Sequence, residues 1–344
     1  MSDEKQYIFM STPFRSGSAL ASRMLNAHSK IAMLNDKVKF FLYCYERFMP
    51  LNEANVEGML RELALRLGSR FEVEFDVALC MDKLGQGPVG HDAIYRTVFG
   101  QLLDGEDTPI IGEMENTSWT RIPAFLEMFP NGKALLIIRD LRDVLVSFKK
   151  LTFAPGSDYL IALFDAIHAM DHFVRYQKEY PDRFCGIRFE ELKADPEKTA
   201  RDWCDFLDLE FEEGMLNEDN WVEFHGNGWR PWENRKTSIF DKVAKHQNPV
   251  GRWRDLIEPD DLFLCEWLGK KQMEALGIER EGPEVSREVF DLALEKLMSS
   301  ELLRDAFRTW SITGSGVQKY PLDPLKSDNW DRNYIANKDL LKGE

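Results

Sequence analysis

The stretch that most constrains the fold is Tyr7–Leu20, which reads YIFMSTPFRSGSAL. Tyr7 to Met10 form a short apolar run of the kind found in buried strands. Small and hydroxylated residues follow up to Ser18, and residues 19–27 favour a helix. A strand, a tight loop and a helix in this order place free backbone N–H groups and the positive helix end around one anion. The sequence therefore predicts a phosphate-binding loop near its start.

The loop is not one of the common nucleotide-binding types. Arg15 supplies a fixed positive charge, and Gly17 allows the backbone to approach a ligand closely. However, the ATP/GTP loop requires G-x4-G-K-[ST], and this stretch lacks both the first Gly and the Lys. It also lacks the G-x-G-x-x-G pattern of dinucleotide sites. Because many strand–helix turns with Ser and Gly bind nothing, the residues downstream must decide what this loop binds.

Charge and composition exclude some classes of function. The chain has 344 residues, enough for one large domain with an appendage, and a formal net charge of −15. Such a balance argues against a general nucleic-acid binder and against an enzyme that grips highly sulfated polymers. We therefore expect no nucleic-acid partner.

The cysteines and the apolar runs indicate a cellular location. The five cysteines are scattered and none forms a C-x-x-C pair, so the sequence suggests neither a zinc site nor a disulfide framework. The charged start is not followed by a signal-like apolar core, and no run approaches the about 18 apolar residues of a membrane span. We expect a cytoplasmic protein without a transmembrane segment.

Further strands are predicted at intervals along the chain, with helices between them. Open α/β sheets place functional groups at the carboxyl ends of their strands, and Asp36, Arg139 and Glu113 each follow such an end. Ser147 can meet the same ligand as Arg139 if the loop folds back. The predicted strands after the first are Lys30–Leu34, Pro109–Gly112, Lys133–Ile138 and Phe184–Arg188. Two regions contain no motif of known chemistry: the mostly helical residues 40–105 and a helical appendage beyond Gly282.

Four motifs in a fixed order resemble those of the sulfotransferase family, whose enzymes use 3′-phosphoadenosine 5′-phosphosulfate (PAPS). They are RSGS at 15–18, RDLRDVLVS at 139–147, IRFEEL at 187–192 with Asp195-Pro196, and VGRWRD at 250–255. The similarity runs from Tyr7 to Gly277, which is most of the chain.

The resemblance implies a fold and an activity. The fold would be an α/β three-layer arrangement with a central, mostly parallel sheet, a P-loop-like phosphosulfate-binding loop and flanking helices. Residues 1–280 would form the sulfotransferase domain, and 281–344 a C-terminal helical extension and irregular tail. The reaction would transfer a sulfuryl group from PAPS to a hydroxyl or amine of a small molecule, lipid or natural product, leaving adenosine 3′,5′-bisphosphate (PAP). It would require no metal; the oligomeric state stays open, with a homodimer as one option.

The resemblance also assigns the cofactor residues. Arg15 occupies the position of a basic residue that steadies the phosphate and the sulfuryl bridge as charge develops, which gives it a catalytic role as well. The pair that binds the 3′-phosphate falls on Arg139 and Ser147. The phosphosulfate loop and a later pair of cofactor contacts fall on Arg15, Ser16, Gly17, Ser18, Ala19, Ser238 and Arg252.

The general base is harder to place. Matching the protein-tyrosine members puts it on Asp36, whereas matching the glycosaminoglycan members puts it on Lys37, which cannot accept a proton while protonated. The slot that holds a His in other members falls on Glu113-Met-Glu115. Asp36 is therefore the first candidate, with Glu113 and Glu115 in reserve.

Two other functions compete with sulfuryl transfer. A P-loop phosphotransferase would need Mg²⁺ and an acidic residue to hold it, and the missing Lys disfavours this class. A non-catalytic nucleotide-binding protein would keep the same fold, and the displaced base slot leaves that alternative open.

Overall fold

A computed structural model describes residues 5–85, 89–103, 108–151, 154–223, 227–228, 248–282, 284–319 and 325–326. Its centre is a five-stranded sheet in the order β2-β3-β1-β4-β5, with every neighbouring pair parallel. The predicted α/β class with a parallel central sheet is confirmed. The strands are β1 Gln6–Thr12, β2 Ile31–Asn35, β3 Ile110–Asn116, β4 Lys133–Ile138 and β5 Phe184–Arg188.

Helices follow most of these strands. In chain order they are α1 Ser18–Asn26, α2 Phe40–Tyr43, α3 Glu53–Phe71, α4 Val77–Leu84, α5 His91–Leu103, α6 Ile122–Met128, α7 Leu141–Leu151, α8 Ile161–Glu179, α9 Phe189–Ala194, α10 Pro196–Leu207, α11 Trp253–Leu256, α12 Pro259–Leu268, α13 Lys270–Ala275, α14 Arg287–Met298 and α15 Glu301–Thr313. Asp195 caps the start of α10 through its side chain and Pro196 takes the first position, as the sequence predicts. A short antiparallel pair, Val222–Glu223 with Asn227–Gly228, lies apart from the main sheet.

The central sheet is buried on both faces, which makes three layers. Along β1, Ile8 and Met10 face one apolar cluster and Tyr7 and Phe9 face the other, the alternation that a strand imposes. The first cluster is covered by α1 and α10. The second, larger cluster is covered by α3, α5, α6, α7 and α8.

Strand β3 is longer than the sequence predicts. The apolar run ends at Gly112, but the strand continues to Asn116 with Glu113 and Glu115 fully buried. Acidic side chains interrupt the apolar pattern that marks a buried strand, so the pattern stops four residues early. Gly112 itself is needed because a Cβ there would overlap the carbonyl oxygen of Ile8 on β1.

The C-terminal helices α14 and α15 share the larger core. Ala293, Leu297, Leu303 and Ala306 are buried in it. Lys296 on α14 pairs with three carboxylates at the start of α12, so charge as well as apolar contact attaches the extension. The carboxylates of Glu258, Asp260 and Asp261 are therefore paired with the ammonium group of Lys296. In the described part of the chain, no helix combines the length and the apolar character needed to cross a membrane.

Candidate active site

The loop between β1 and α1 contains two residues in the left-handed backbone region. Arg15 has φ 68° and Gly17 has φ 97°. At Gly17 a side chain is excluded twice, because this φ favours glycine and because a Cβ would overlap the ring of Phe189. Helix α1 begins at the next residue, Ser18, so its first N–H groups, including that of Ala19, have no partner within the helix. The loop is thus shaped to present backbone donors to an anion.

Three of the predicted cofactor residues meet at this loop. The Nε of Arg15 donates to Ser147 Oγ at 3.0 Å, across 132 residues of chain. The Nη1 of Arg139 donates to the carbonyl oxygen of Arg15 at 2.9 Å. The carboxyl end of β4 and the second turn of α7 therefore fold back onto the loop after β1.

The guanidinium of Arg139 is buried but only partly neutralised. It donates to the carbonyl oxygen of Pro249, lies 3.7 Å from a carboxylate oxygen of Asp143, and its central carbon is 4.6 Å from the ring centre of Phe189. Burial lowers the pKa of Arg139 to about 10, against the attraction of Asp143. Arg139 remains charged at neutral pH.

The motif at 250–255 is fixed to α7 by one carboxylate. Asp143 accepts hydrogen bonds from the N–H groups of Gly251 at 2.7 Å and Trp253 at 3.0 Å. This places Arg252 near Arg139, and burial lowers the pKa of Arg252 while Asp143 opposes that change. Ser238, the other predicted member of this pair, lies outside the described residues.

Three buried donors in the motifs at 15–18, 139–147 and 250–255 have no hydrogen-bond partner within the described residues. They are Ser16 Oγ, Arg139 Nε and Arg252 Nε. Proteins rarely leave buried donors unpaired, so each such group calls for an explanation. The oxygens of a bound phosphate group would supply acceptors for all three. The site therefore fits an anion that touches several of these motifs at once.

Asp36 lies directly after β2, at the same edge of the sheet. Its side chain is 29% exposed and forms an ion pair of 2.9 Å with Lys39. Its Oδ1 also accepts from the N–H of Asn116 at 3.1 Å. Burial raises the pKa of Asp36, but Lys39 and Asn116 outweigh it and hold the pKa below its ordinary value of 3.8. Asp36 is therefore a deprotonated carboxylate at neutral pH.

Glu113 and Glu115 occupy a different environment. Glu113 accepts from the N–H of Phe40 at 3.2 Å, and Glu115 accepts from the N–H of Phe41 at 3.1 Å and the hydroxyl of Ser118 at 2.5 Å. Both hold the start of α2. Burial raises the pKa of both carboxyls, that of Glu115 to about 7 and that of Glu113 well above 4.5, where the charge of Glu115 adds to the effect. The sequence analysis named these residues as candidates but did not predict their burial. The signal for it was their spacing, because residues i and i+2 of a strand face the same side of the sheet.

Comparisons with known proteins point to one family. A family model described as "Sulfotransferase family" matches residues 8–213. Cytosolic sulfotransferase 10 of Arabidopsis thaliana is 27% identical over 173 residues, which cover 43% of this chain and 51% of that protein. The match thus spans about half the length of that relative.

Two solved structures share the fold. The sulfotransferase domain of the Synechococcus PCC 7002 olefin synthase superposes with a TM-score of 0.53 at 17% identity, covering 80% of this chain and 94% of that domain. The sulfotransferase domain of the curacin biosynthetic pathway has the same TM-score of 0.53 and identity of 17%, covering 80% of this chain and 99% of that domain.

Proposed function

The chain belongs to the sulfotransferase family, and we propose that it transfers a sulfuryl group from PAPS to a hydroxyl or amine of a small-molecule or lipid acceptor. The observation that carries this proposal is the set of unpaired buried donors around the β1 loop, Ser16 Oγ, Arg139 Nε and Arg252 Nε. PAPS presents phosphate groups at two separate positions of one nucleotide. Donors contributed by three separate motifs match that spread better than they match a single phosphate.

The loop residues would hold the phosphosulfate, and the residues of β4 and α7 would hold the 3′-phosphate. Ser16 to Ala19 offer backbone N–H groups and two hydroxyls, while Arg139 and Ser147 are hydrogen-bonded to Arg15. Arg252, and Ser238 outside the described residues, would complete the cofactor contacts. Because Arg15 is joined to both Arg139 and Ser147, one ligand can engage the two halves together.

Transfer breaks the bond between sulfur and the bridging oxygen of PAPS as the acceptor oxygen or nitrogen bonds to sulfur. Negative charge then develops on the 5′-phosphate of the leaving PAP, where Arg15 would neutralise it. Since cationic side chains and backbone N–H groups do this work, we propose that no metal takes part. Turnover that survives an excess of EDTA is the expected result.

We propose Asp36 as the group that accepts the acceptor's proton. Among the three candidates it is the carboxylate that reaches the carboxyl edge of the sheet, with 29% of its side chain exposed. Lys39 keeps Asp36 deprotonated, and the lowered pKa makes Asp36 a weaker base than a free carboxylate. Glu115 has a pKa of about 7, which suits a base, but it is fully buried and committed to the start of α2.

Two measurements test the function. First, PAP should raise the melting temperature, because a ligand at 100 times its Kd adds about 2.7 kcal/mol of stability, whereas ATP with Mg²⁺ should not. The reverse result would favour the phosphotransferase. Second, ³⁵S-labelled PAPS and a panel of phenols, alcohols, amines and lipids should yield a labelled acceptor. Binding of PAP without transfer to any acceptor would favour the non-catalytic alternative.

A cytoplasmic location is part of the same proposal. All five cysteines are free thiols, and four of them are buried. Thiols persist in reducing compartments. Fractionation that finds the native chain in a membrane or secreted fraction would contradict it.

A further inference from the structure

The turn that follows β3 is bonded to the start of the phosphate loop. We define this β3 turn as residues 117–120. The N–H of Thr117 donates to the carbonyl oxygen of Thr12 at 2.9 Å, and the N–H of Ser118 donates to Ser11 Oγ at 3.0 Å. Thr117 has φ 60°, a left-handed conformation that a β-branched residue adopts only when its surroundings impose it. Something outside the turn must therefore stabilise it.

That support comes from the far end of the chain. We call residues 314–319, directly after α15, the C-terminal segment. The side-chain amide of Gln318 donates to the carbonyl oxygen of Thr117, although 201 residues separate the two. The hydroxyl of Thr120 donates to the other end of the same amide, Oε1, at 3.3 Å. One side chain thus bridges both ends of the β3 turn.

One turn of α8 holds the C-terminal segment and the β3 turn together. The N–H of Lys319 donates to the buried carboxylate of Asp165 at 2.8 Å. Gly316 lies so close to α8 that a Cβ would overlap the carbonyl oxygen of Phe164. From the β3 turn, the indole N–H of Trp119 donates to His168 Nδ1 at 3.1 Å. Helix α8 therefore contacts and supports both the C-terminal segment and the β3 turn.

We propose that the C-terminal segment belongs to the acceptor side of the active site, with Gln318 as a positioning residue that fixes the β3 turn beside the phosphate loop. This rests on the proposed function. The nucleotide would occupy the side of the loop that faces β4 and α7, where Arg139 and Ser147 lie. An acceptor must then reach the sulfuryl group from the side of β3, where the β3 turn continues the contact of that strand with residues 11–12.

Gln318→Glu in the full chain is the direct test. The substitution keeps the length of the side chain and an acceptor for Thr120, but it removes the donor to Thr117 and sets an oxygen against that carbonyl. Hydrogen exchange of the peptide spanning 116–121 should accelerate about twofold to tenfold, the effect of losing one net hydrogen bond. The Kd for PAP, measured by titration calorimetry, should stay within about twofold. With the acceptor of highest turnover in the labelled screen, the acceptor KM should rise more than kcat falls.

Gly316→Ala tests the same contact from the other end. The added methyl group displaces the segment from α8 without altering Gln318, so it should reproduce both effects. Gly68→Ala is the matched control, because a Cβ there meets nothing within 4 Å on the exposed end of α3. It should change neither the exchange at 116–121 nor the acceptor KM.

Unchanged exchange at 116–121 in both variants would overturn the proposal. So would an equal acceleration in β5, because that indicates a loss of global stability and not of local positioning. Exchange requires neither cofactor nor acceptor, which separates this proposal from the one it rests on. Local acceleration in a protein whose wild type binds no PAP would overturn the proposed function, and the acceptor role with it, while the support of the β3 turn by Gln318 would stand.

Discussion

Two regions at the same edge of the sheet differ in whether their charged side chains have partners within the protein. On the side of β1 and β4, Arg139 is buried and Arg252 is half-buried, and the Nε group of each has no hydrogen-bond partner within the described residues. On the side of β2 and β3, Asp36 is paired with Lys39, and Glu113 and Glu115 accept backbone N–H groups from α2. The first region presents unused donors to an anion. The second satisfies its own charges, which under the proposed function would let it position a neutral acceptor without attracting the anionic cofactor.

The largest effect should come from the region whose charges are already satisfied. Asp36→Asn keeps the shape of the side chain but removes the group that accepts a proton, so turnover should fall about 10²–10⁴-fold with the Kd for PAP nearly unchanged. Single-turnover rates with labelled PAPS and calorimetry with PAP measure the two quantities. Glu113→Gln and Glu115→Gln are the controls.

The pH dependence separates the candidate bases. The pKa of Asp36 lies below 3.8, so a rate that depends on it should show no acid limb between pH 8 and 5. A limb near pH 7, abolished by Glu115→Gln, would move the base to Glu115, whose pKa is about 7. Full activity of all three variants would remove the carboxylate base from the mechanism.

The next largest effect is expected on the side of β1 and β4. Arg139→Ala should weaken PAP binding at least about tenfold, because a hydrogen bond to a charged group contributes about 1.5–3 kcal/mol. The loss should be selective for the 3′-phosphate, so the affinity for adenosine 5′-phosphosulfate should fall much less. Calorimetry with both ligands gives the ratio, which cancels any general loss of packing. Arg254→Ala removes a nearby but exposed arginine, paired with Glu281, and should leave both affinities unchanged.

The two regions also differ in how far the sequence predicts them. Arg15, Arg139 and Ser147 lie in short local motifs at strand ends, and a parallel sheet brings strand ends together, so their meeting could be predicted. Whether they bind the cofactor stays a prediction. The ion pair of Asp36 and Lys39 depends on left-handed conformations at both residues, φ 57° and 51°, which a short sequence stretch does not specify.

Contacts over long sequence distances escaped prediction for a related reason. The burial of Glu113 and Glu115 depends on α2, whose N–H groups compensate for two carboxylates inside the core. The bridge from Gln318 to the β3 turn spans 201 residues and involves no motif. Local patterns carry no information about which distant polar group will satisfy a buried one.

A smaller effect is expected from breaking the hydrogen bond between Arg15 and Ser147 on the side of β1 and β4. Ser147→Ala removes the hydroxyl that accepts from Arg15, so the loop loses its hydrogen bond to α7 through Arg15 Nε. The Kd for PAP should rise about twofold to tenfold, less than for Arg139→Ala. Ser147→Thr keeps the hydroxyl and serves as the control. An effect of Ser147→Ala as large as that of Arg139→Ala would mean that the hydroxyl, and not the guanidinium, dominates phosphate binding.

The smallest expected effect is on the pH dependence of folding stability. Two carboxyls on the side of β2 and β3, Glu115 and Asp36, should change stability with pH in opposite directions. The pKa of Glu115 in the folded state, about 7, is raised above its ordinary 4.5 by burial. Its contribution to stability is therefore fully present below pH 4.5 and is lost as the pH rises through about 7. Glu115→Gln does not titrate, so its melting temperature relative to wild type should rise from pH 5 to pH 8, by about 2 °C. Asp36 has a lowered pKa, and its contribution is lost only as the pH falls below 3.8. The difference between Asp36→Asn and wild type should thus stay constant over pH 5 to 8, measured by scanning calorimetry. A constant difference for Glu115→Gln over the same range would show that the hydrogen bonds from Phe41 and Ser118 stabilise the charged form of Glu115 enough to offset its burial.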